Sequence, residues 1–274
     1  MINNHVGAPS ITPKAKIYTL SFWLLCGSSF LFFGSFSMIL PELPDYLASL
    51  NGQEYLGLVV SLFTLSAAVS RPFSGKLTDK WGRIPVMFIG ACISGLAALI
   101  YPLTTTVFGF LIIRLLHGFS AGFKPTGTSA YVADIIPANR RGEALGILSM
   151  FGTIGMASAP ILGSWIFLTY DINTLFYCSS VFSIGSVLIL FGMKETLKNK
   201  DPFKLALLKI GKADLYEPSV IPPSLIMVLT TFSFGTVITL SPDFSGFLGI
   251  QNKGLFFSFF TGSSLLVRFI GGKL

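Results

Sequence analysis

The chain has 274 residues, of which 52% are hydrophobic and only 11% charged, and its formal net charge is +7. Soluble domains carry about 25% charged residues, so this composition excludes an ordinary water-soluble globule and a disordered chain. The charge-free runs are long enough for membrane-spanning helices, each of which needs about 20 apolar residues. Only helices and closed barrels satisfy the backbone in lipid, and runs of this length exclude barrel strands. The expected fold class is therefore an all-α polytopic membrane protein.

Eight spans are predicted in chain order. They lie near residues 18–40, 55–76, 84–102, 106–133, 144–169, 173–193, 221–241 and 254–272. The resulting division is a cytoplasmic N-terminal tail at 1–17, a six-helix bundle at 18–193, a central cytoplasmic loop at 194–220 and two further helices at 221–274. Within the central loop, residues 203–210 (FKLALLKI) suit either a short amphipathic helix on the membrane surface or a solvated linker.

The basic residues indicate how the chain is oriented. Most of them lie in the links after the second, fourth and sixth predicted spans, together with Lys14 and Lys16 before the first. The opposite links carry Lys253 and a set of acidic residues: Glu42, Asp45, Glu54, Asp171 and Asp243. The positive-inside rule therefore predicts a multi-pass protein of the cell (inner) membrane with its N-terminus in the cytoplasm. The net charge is explained by topology, and nucleic acid is not an expected partner.

The chain also contains an internal repeat. Residues 71–77 (RPFSGKL) match residues 268–274 (RFIGGKL), and Gly57 pairs with Gly254 at the same offset. The seventh and eighth spans thus repeat the first two in the same orientation, and parallel halves are one architecture of secondary transporters. The second copy stops inside its own signature, so we expect the chain to be C-terminally truncated and intact relatives to have about four more helices.

Residues 75–83 (GKLTDKWGR) resemble motif A of the major facilitator superfamily, the loop between the second and third helices. The resemblance implies that fold here, with an N-terminal six-helix half and the first two helices of the C-terminal half. In the family this charged cluster acts in gating, together with the link between the fourth and fifth helices. The residues that it implies here are Arg71, Gly75, Asp79, Gly82, Arg83, Asp134, Arg140, Arg141 and Glu143.

Two further segments resemble motifs of the same superfamily. Residues 114–121 (RLLHGFSA) are similar to motif B, with His117 in place of Gln and Ser120 in place of Gly. The fifth span resembles motif C, which is associated with antiporters and drug exporters, through Gly146, Gly155, Pro160 and Gly163. Small residues let helices approach closely, so these four are predicted to pack the fifth span against a neighbour, and generic helix packing is the alternative interpretation.

The fourth predicted span carries polar side chains along one face. Arg114, His117, Lys124 and Tyr131 fall within an arc of about 100° at helical spacing. A charge at mid-membrane costs about 2.5–3.5 kcal/mol, so these groups are expected to avoid lipid. One hypothesis is that they line a central cavity and contact substrate or take part in ion coupling. The candidate proton carriers are Asp45, Glu42 and His117, and the carrier could also lie in the missing helices. The alternative is a structural role, in which the charges bond backbone carbonyls and fix helix packing.

The resemblance implies a secondary active transporter of small molecules working by alternating access, with proton-coupled efflux as the favoured activity. The alternatives are an importer of sugars or organic anions in the same superfamily, and a membrane fragment that does not transport. No enzyme activity, cofactor or metal site is expected, and a proton gradient is the expected energy source. The expected partners are the lipid bilayer and a small-molecule substrate, and members of the family are usually monomeric.

Overall fold

The computed structural model describes residues 18–211 and 218–271. The predicted tail at 1–17, part of the central loop at 212–217 and the end of the repeat at 272–274 lie outside the described residues. Nine α-helices form in the described part: α1 (Leu20–Ile39), α2 (Leu43–Ser49), α3 (Leu58–Lys80), α4 (Arg83–Ile100), α5 (Val107–Ile135), α6 (Arg141–Thr169), α7 (Ile172–Phe191), α8 (Ile221–Phe247) and α9 (Gly254–Gly271).

Long apolar helices confirm the all-α polytopic class. Seven helices among the described residues are long and apolar enough to cross a membrane, namely α1, α3, α4, α5, α6, α7 and α8. The eighth predicted span corresponds to α9, an 18-residue helix that is not counted among these seven. Because the helices alternate in direction, the links 81–82, 136–140, 192–211 and 218–220 lie at one end, here called the basic end. The links 40–57, 101–106, 170–171 and 248–253 lie at the other, called the acidic end.

Three local predictions differ from the structure. The turn after α1 contains the short helix α2, which the apolar pattern did not indicate. Residues 75–80 of the predicted 75–83 loop are the last turns of α3, which continues through Pro72, so only Trp81 and Gly82 link α3 to α4. Of the two alternatives for residues 203–210, the α-helix does not form: the segment contains a 3-10 turn, Leu205–Leu208. It is not a fully solvated linker either, because Leu207 packs against α3 and α4.

The first six long helices form one bundle. Helix α1 packs between α6 and α7, α5 packs between α3 and α4, and α4 also contacts α7, which closes the bundle. Helix α9 packs along α6 from the second part of the chain. Large apolar side chains such as Phe108, Leu188 and Phe191 stay exposed on the outside, as lipid-facing positions require.

Serine side chains join α7 to both of its neighbours. Ser186 and Ser28 of α1 exchange hydroxyl-to-carbonyl hydrogen bonds of 2.9 and 3.2 Å. Ser179 and Ser35 repeat this arrangement further along the two helices, with both bonds at 2.8 Å. The remaining two serines, Ser180 and Ser183, donate to carbonyls of α4 at 3.0 and 2.8 Å. These bonds, reciprocal toward α1 and one-way toward α4, fix the register of the three helices where apolar burial gives no directional force.

Candidate functional site

Arg114 is fully buried in α5 and is held by its neighbours. Its Nε donates a hydrogen bond of 2.8 Å to the carbonyl oxygen of Val59 at the start of α3. Its Nη1 lies 3.4 Å from the hydroxyl of Tyr101, and the guanidinium carbon is 4.7 Å from the ring centre of Phe63. Only 2% of the residue is exposed. The contacts are those of a cation that joins α5 to α3 and to the end of α4.

His117 lies one turn further along the same face and shares a partner with Arg114. Its Nδ1 is 3.4 Å from the Tyr101 hydroxyl and its Nε2 is 3.2 Å from Oγ of Ser94 on α4. The ring of Phe63 meets the imidazole edge-on, with centroids 5.4 Å apart. The Tyr101 phenol therefore bridges Arg114 and His117, a role that sequence reasoning missed because Tyr101 closes the preceding helix.

Lys124 differs from the other two groups on this face. Its side chain is buried, and Nζ has no hydrogen-bond partner among the described residues. The ammonium lies 5.7 Å from the ring centre of Phe32 on α1, a cation–π contact. The backbone of Lys124 also packs closely against α4. A Cβ on Gly90 would lie only 2.5 Å from the backbone nitrogen of Lys124, so only glycine fits there.

The remaining members of the predicted substrate and ion-coupling set lie at opposite ends of the bundle. The Tyr131 hydroxyl donates to the Lys194 carbonyl at the basic end, at 2.9 Å. Asp45 pairs with Lys253 at the acidic end, at 2.5 Å. The structure thus brings together Arg114 and His117, turns Lys124 toward α1, and separates Tyr131 and Asp45 from them. A role of these residues in transport stays a prediction, and the contacts of Arg114 match the structural alternative.

The motif A residues converge on Arg83 at the basic end. The Arg83 Nε is 2.9 Å from Oδ2 of Asp134 at the end of α5, and Nη1 donates to the Thr78 carbonyl at 2.5 Å. Asp79 lies 3.4 Å from Nη1 with 71% of its side chain exposed, so this pair contributes little. Gly82 has φ 143°, a conformation that favours glycine. The predicted association of 75–83 with the link after α5 is therefore present, through Arg83 and Asp134.

Two residues of this cluster were missed by sequence reasoning. The Glu195 carboxylate accepts hydrogen bonds from the backbone N–H groups of Arg83 and Ile84, both at 3.1 Å, and so binds the N-terminus of α4. The Thr196 hydroxyl donates to Asp134 at 2.6 Å. A carboxylate placed just after the sixth span was the available signal, because helix N-termini attract negative charge.

The other predicted gating residues are arranged around this cluster. Arg140 and Glu143 form an exposed pair with 2.6 Å between Nη2 and Oε2, and Arg141 Nε donates to the Ile136 carbonyl at 3.4 Å. A groove of about 330 Å³ lies on the last turns of α3. It is lined by Arg71, Pro72, Gly75, Lys76, Asp79 and Lys80.

Two of the motif C glycines pack α6 directly onto α1. A Cβ at Gly155 would lie 2.5 Å from the Phe30 carbonyl oxygen, and one at Gly163 would overlap the Met38 carbonyl. Gly146 has nothing within 4 Å, so the predicted packing role does not extend to it. The backbone carbonyl of Pro160 contacts Gly254, the first residue of α9, so closely that a Cβ at Gly254 would overlap it. Helix α6 therefore contacts α1 through glycine and α9 through the motif's proline.

A buried carboxylate joins three segments at the acidic end. Glu42, in the link between α1 and α2, is 1% exposed, and its Oε1 accepts a 2.5 Å hydrogen bond from the hydroxyl of Ser164 on α6. That hydroxyl oxygen accepts the Gly254 N–H at 3.1 Å. Burial raises the pKa of the Glu42 carboxyl above its usual range. The first bundle is thus connected to α9 through Glu42, Ser164 and the nearby Asp45–Lys253 pair.

In the described part of the chain, no three His, Cys, Asp or Glu side chains are grouped closely enough to hold a metal ion.

Comparison with known proteins gives consistent matches. The family model described as Major Facilitator Superfamily matches residues 25–274. Multidrug resistance protein MdtG of Salmonella arizonae is 31% identical over 229 residues, covering 80% of this chain and 56% of that protein. Multidrug resistance protein 2 of Bacillus subtilis is 30% identical over 186 residues, covering 68% of this chain and 46% of that protein. The chain spans about half the length of these relatives.

Among solved structures, a D-xylose–proton symporter superposes with a TM-score of 0.68 at 16% identity. The match covers 92% of this chain and 68% of the symporter. At that identity the likeness supports the fold alone.

Proposed function

Because the chain belongs to the major facilitator superfamily, we propose that it acts as a proton-coupled secondary transporter that exports small, amphipathic compounds by alternating access. The observation that carries this proposal is the 31% identity with a multidrug resistance protein over 229 residues. A D-xylose–proton symporter has a similar fold, so the fold does not by itself favour export over import.

The packing of α6 supports the export assignment. Gly155 and Gly163 hold α6 against α1, and Pro160 meets the first residue of α9. These are the residues whose pattern resembles the antiporter-associated motif. A helix that contacts both parts of the chain is suitably placed for transmitting movement between them.

The charge distribution supports a cytoplasmic basic end. The basic end carries Arg83, Arg140 and Arg141, whereas the acidic end carries Glu42, Asp45 and Asp171. We therefore propose that the basic end faces the cytoplasm of the cell membrane and that the acidic end faces outward. The Arg83–Asp134 cluster then lies on the cytoplasmic side, where it can restrain movement of α4 and α5.

Efflux is tested in a bacterial host that lacks its own drug exporters. Cells expressing the full chain are loaded with a fluorescent lipophilic cation, and efflux is followed after energy is restored. We expect faster efflux than in cells carrying an Arg83→Ala, Asp134→Ala variant at equal membrane abundance. Equal rates in native, variant and empty-vector cells would contradict the proposal. Energy-dependent accumulation of a sugar or an organic anion in the same cells would favour the importer alternative.

A further inference from the structure

The contact at the acidic end is built around a carboxylate that water hardly reaches. Glu42 lies outside the membrane-spanning helices, yet it is 1% exposed, whereas Asp45 and Glu54 in the same stretch are exposed. The carboxyl faces the Ser164 hydroxyl from α6, the Asp45 carboxylate from α2 and the Lys253 ammonium from the link before α9. An ionised carboxylate in such a position carries a large desolvation penalty, which a proton removes.

The hydrogen bonds around Glu42 are compatible with either protonation state. Oε1 accepts from Ser164, and the carbonyl oxygen of a neutral carboxyl group can do the same. The Ser164 oxygen stays free to accept the Gly254 N–H. Protonation therefore preserves the connection between the first bundle and α9 while it removes the buried charge.

We propose that Glu42 is a proton-binding site at the outer end of the protein, and that proton binding there favours closure of the contact between the first bundle and α9. This inference rests on the proposed function, in which the acidic end faces outward and the protein is proton-coupled. An outside proton would bind while the contact is open and water reaches Glu42. Closure would then bury the neutral carboxyl against Ser164. Binding of a proton from outside would thus be linked to closure of the contact between the first bundle and α9.

The direction of the pH dependence follows from the burial of Glu42 in the closed contact. Desolvation, the largest influence, raises the pKa of Glu42 there, and the Asp45 charge adds to it, while the Ser164 bond and Lys253 act in the opposite direction. The pKa is therefore higher in the closed contact than in an open, solvated one. The stabilisation is fully present below the ordinary glutamate pKa, and it is lost as the pH rises through the raised pKa.

Amide hydrogen exchange measures closure of this contact directly, because the Gly254 N–H donates one of the hydrogen bonds that form it. The full chain in lipid nanodiscs is exchanged at several pH values, and protection of peptides covering 248–257 is corrected for intrinsic exchange rates. Native protection should fall by up to about tenfold per pH unit between the ordinary and the raised pKa. Glu42→Gln, which imitates the neutral carboxyl, should keep the high protection at every pH.

Two further variants keep the test decisive if Glu42→Gln fails to fold. Glu54→Gln changes an exposed carboxylate nearby and should retain the native pH profile. Lys253→Met removes a cation that lowers the Glu42 pKa and should move the profile to higher pH. A flat native profile, or a native-like profile in Glu42→Gln, would overturn the inference. Proton-coupled transport alongside a flat profile would refute this site alone, whereas the expected profile without any transport would refute the proposed function.

Discussion

The Nε of Arg114 donates a 2.8 Å hydrogen bond to the carbonyl oxygen of Val59 within the interior of the helix bundle. Val59 belongs to the first turn of α3, where its carbonyl oxygen can also accept a hydrogen bond from within the helix. The bond from Arg114 is an additional one, and it connects two helices. The guanidinium also lies over the ring of Phe63. A cation that costs several kcal/mol in lipid is therefore retained by bonds that connect α5 to α3.

Arg114→Ala should destabilise the protein. Hydrogen bonds to charged groups contribute about 1.5–3 kcal/mol, and we expect a loss of that size in the free energy of unfolding. Thermal unfolding in detergent, followed by gel filtration, measures it. Arg71→Ala is the matched control, since Arg71 lies on the same helix as Val59 but is exposed. Native stability in Arg114→Ala together with lost efflux would instead assign Arg114 to the substrate.

Removing the serines that join α7 to α1 should weaken their association. The double variant Ser179→Ala, Ser186→Ala removes the hydroxyls of α7 that bond to Ser35 and Ser28. Interhelical hydrogen bonds in membranes contribute about 0.6 kcal/mol on average and up to about 1.7, so the pair should cost about 1–3 kcal/mol. Unfolding in increasing denaturing detergent measures this cost. Ser158→Ala on an exposed face of α6 is the control, and an equal loss there would contradict the assignment.

Gly163 and Gly146 should respond oppositely to alanine. Gly163→Ala places a methyl group against the Met38 carbonyl, and overpacking of this kind costs about 1–3 kcal/mol. Gly146 meets nothing within 4 Å, so Gly146→Ala should be neutral or stabilising by up to about 1 kcal/mol through helix propensity. Thermal unfolding of both variants decides this. Equal stability of the two would show that α6 and α1 are not held at this distance.

Glu195 is expected to hold the segment after α7 to the N-terminus of α4. Glu195→Ala removes the acceptor for two backbone N–H groups, a change that costs about 0.5–2 kcal/mol at helix N-termini. The released segment should also become easier to cleave with trypsin at Lys198 and Lys200. Asp79→Asn is the control, because 71% of the Asp79 side chain is exposed. Unchanged cleavage in Glu195→Ala would mean that other contacts hold the segment.

Hydrophobic runs predicted the long helices well, because span length is set by the bilayer and leaves a clear trace in composition. The face of α5 that carries Arg114 and His117 was also predictable from helical periodicity. Periodicity did not show which neighbours that face meets, because Val59 belongs to α3 and Tyr101 to the link after α4. Glu42 was a candidate proton carrier from the sequence, but its contacts were hidden for the same reason: its partner Ser164 lies 122 residues away, and Gly254 lies 90 residues beyond that. Such contacts depend on tertiary packing that a single sequence does not display.

Proton-coupled export is tested most directly in proteoliposomes that contain the full chain, a trapped pH indicator and a lipophilic cation. A pH gradient is imposed so that the side exposing the acidic end is the more acidic. The account predicts that proton movement toward the basic end accompanies release of the cation at the acidic end, and that neither flux proceeds fast without the other. Cation movement at the same rate with and without the gradient, or no movement above protein-free liposomes, would contradict it.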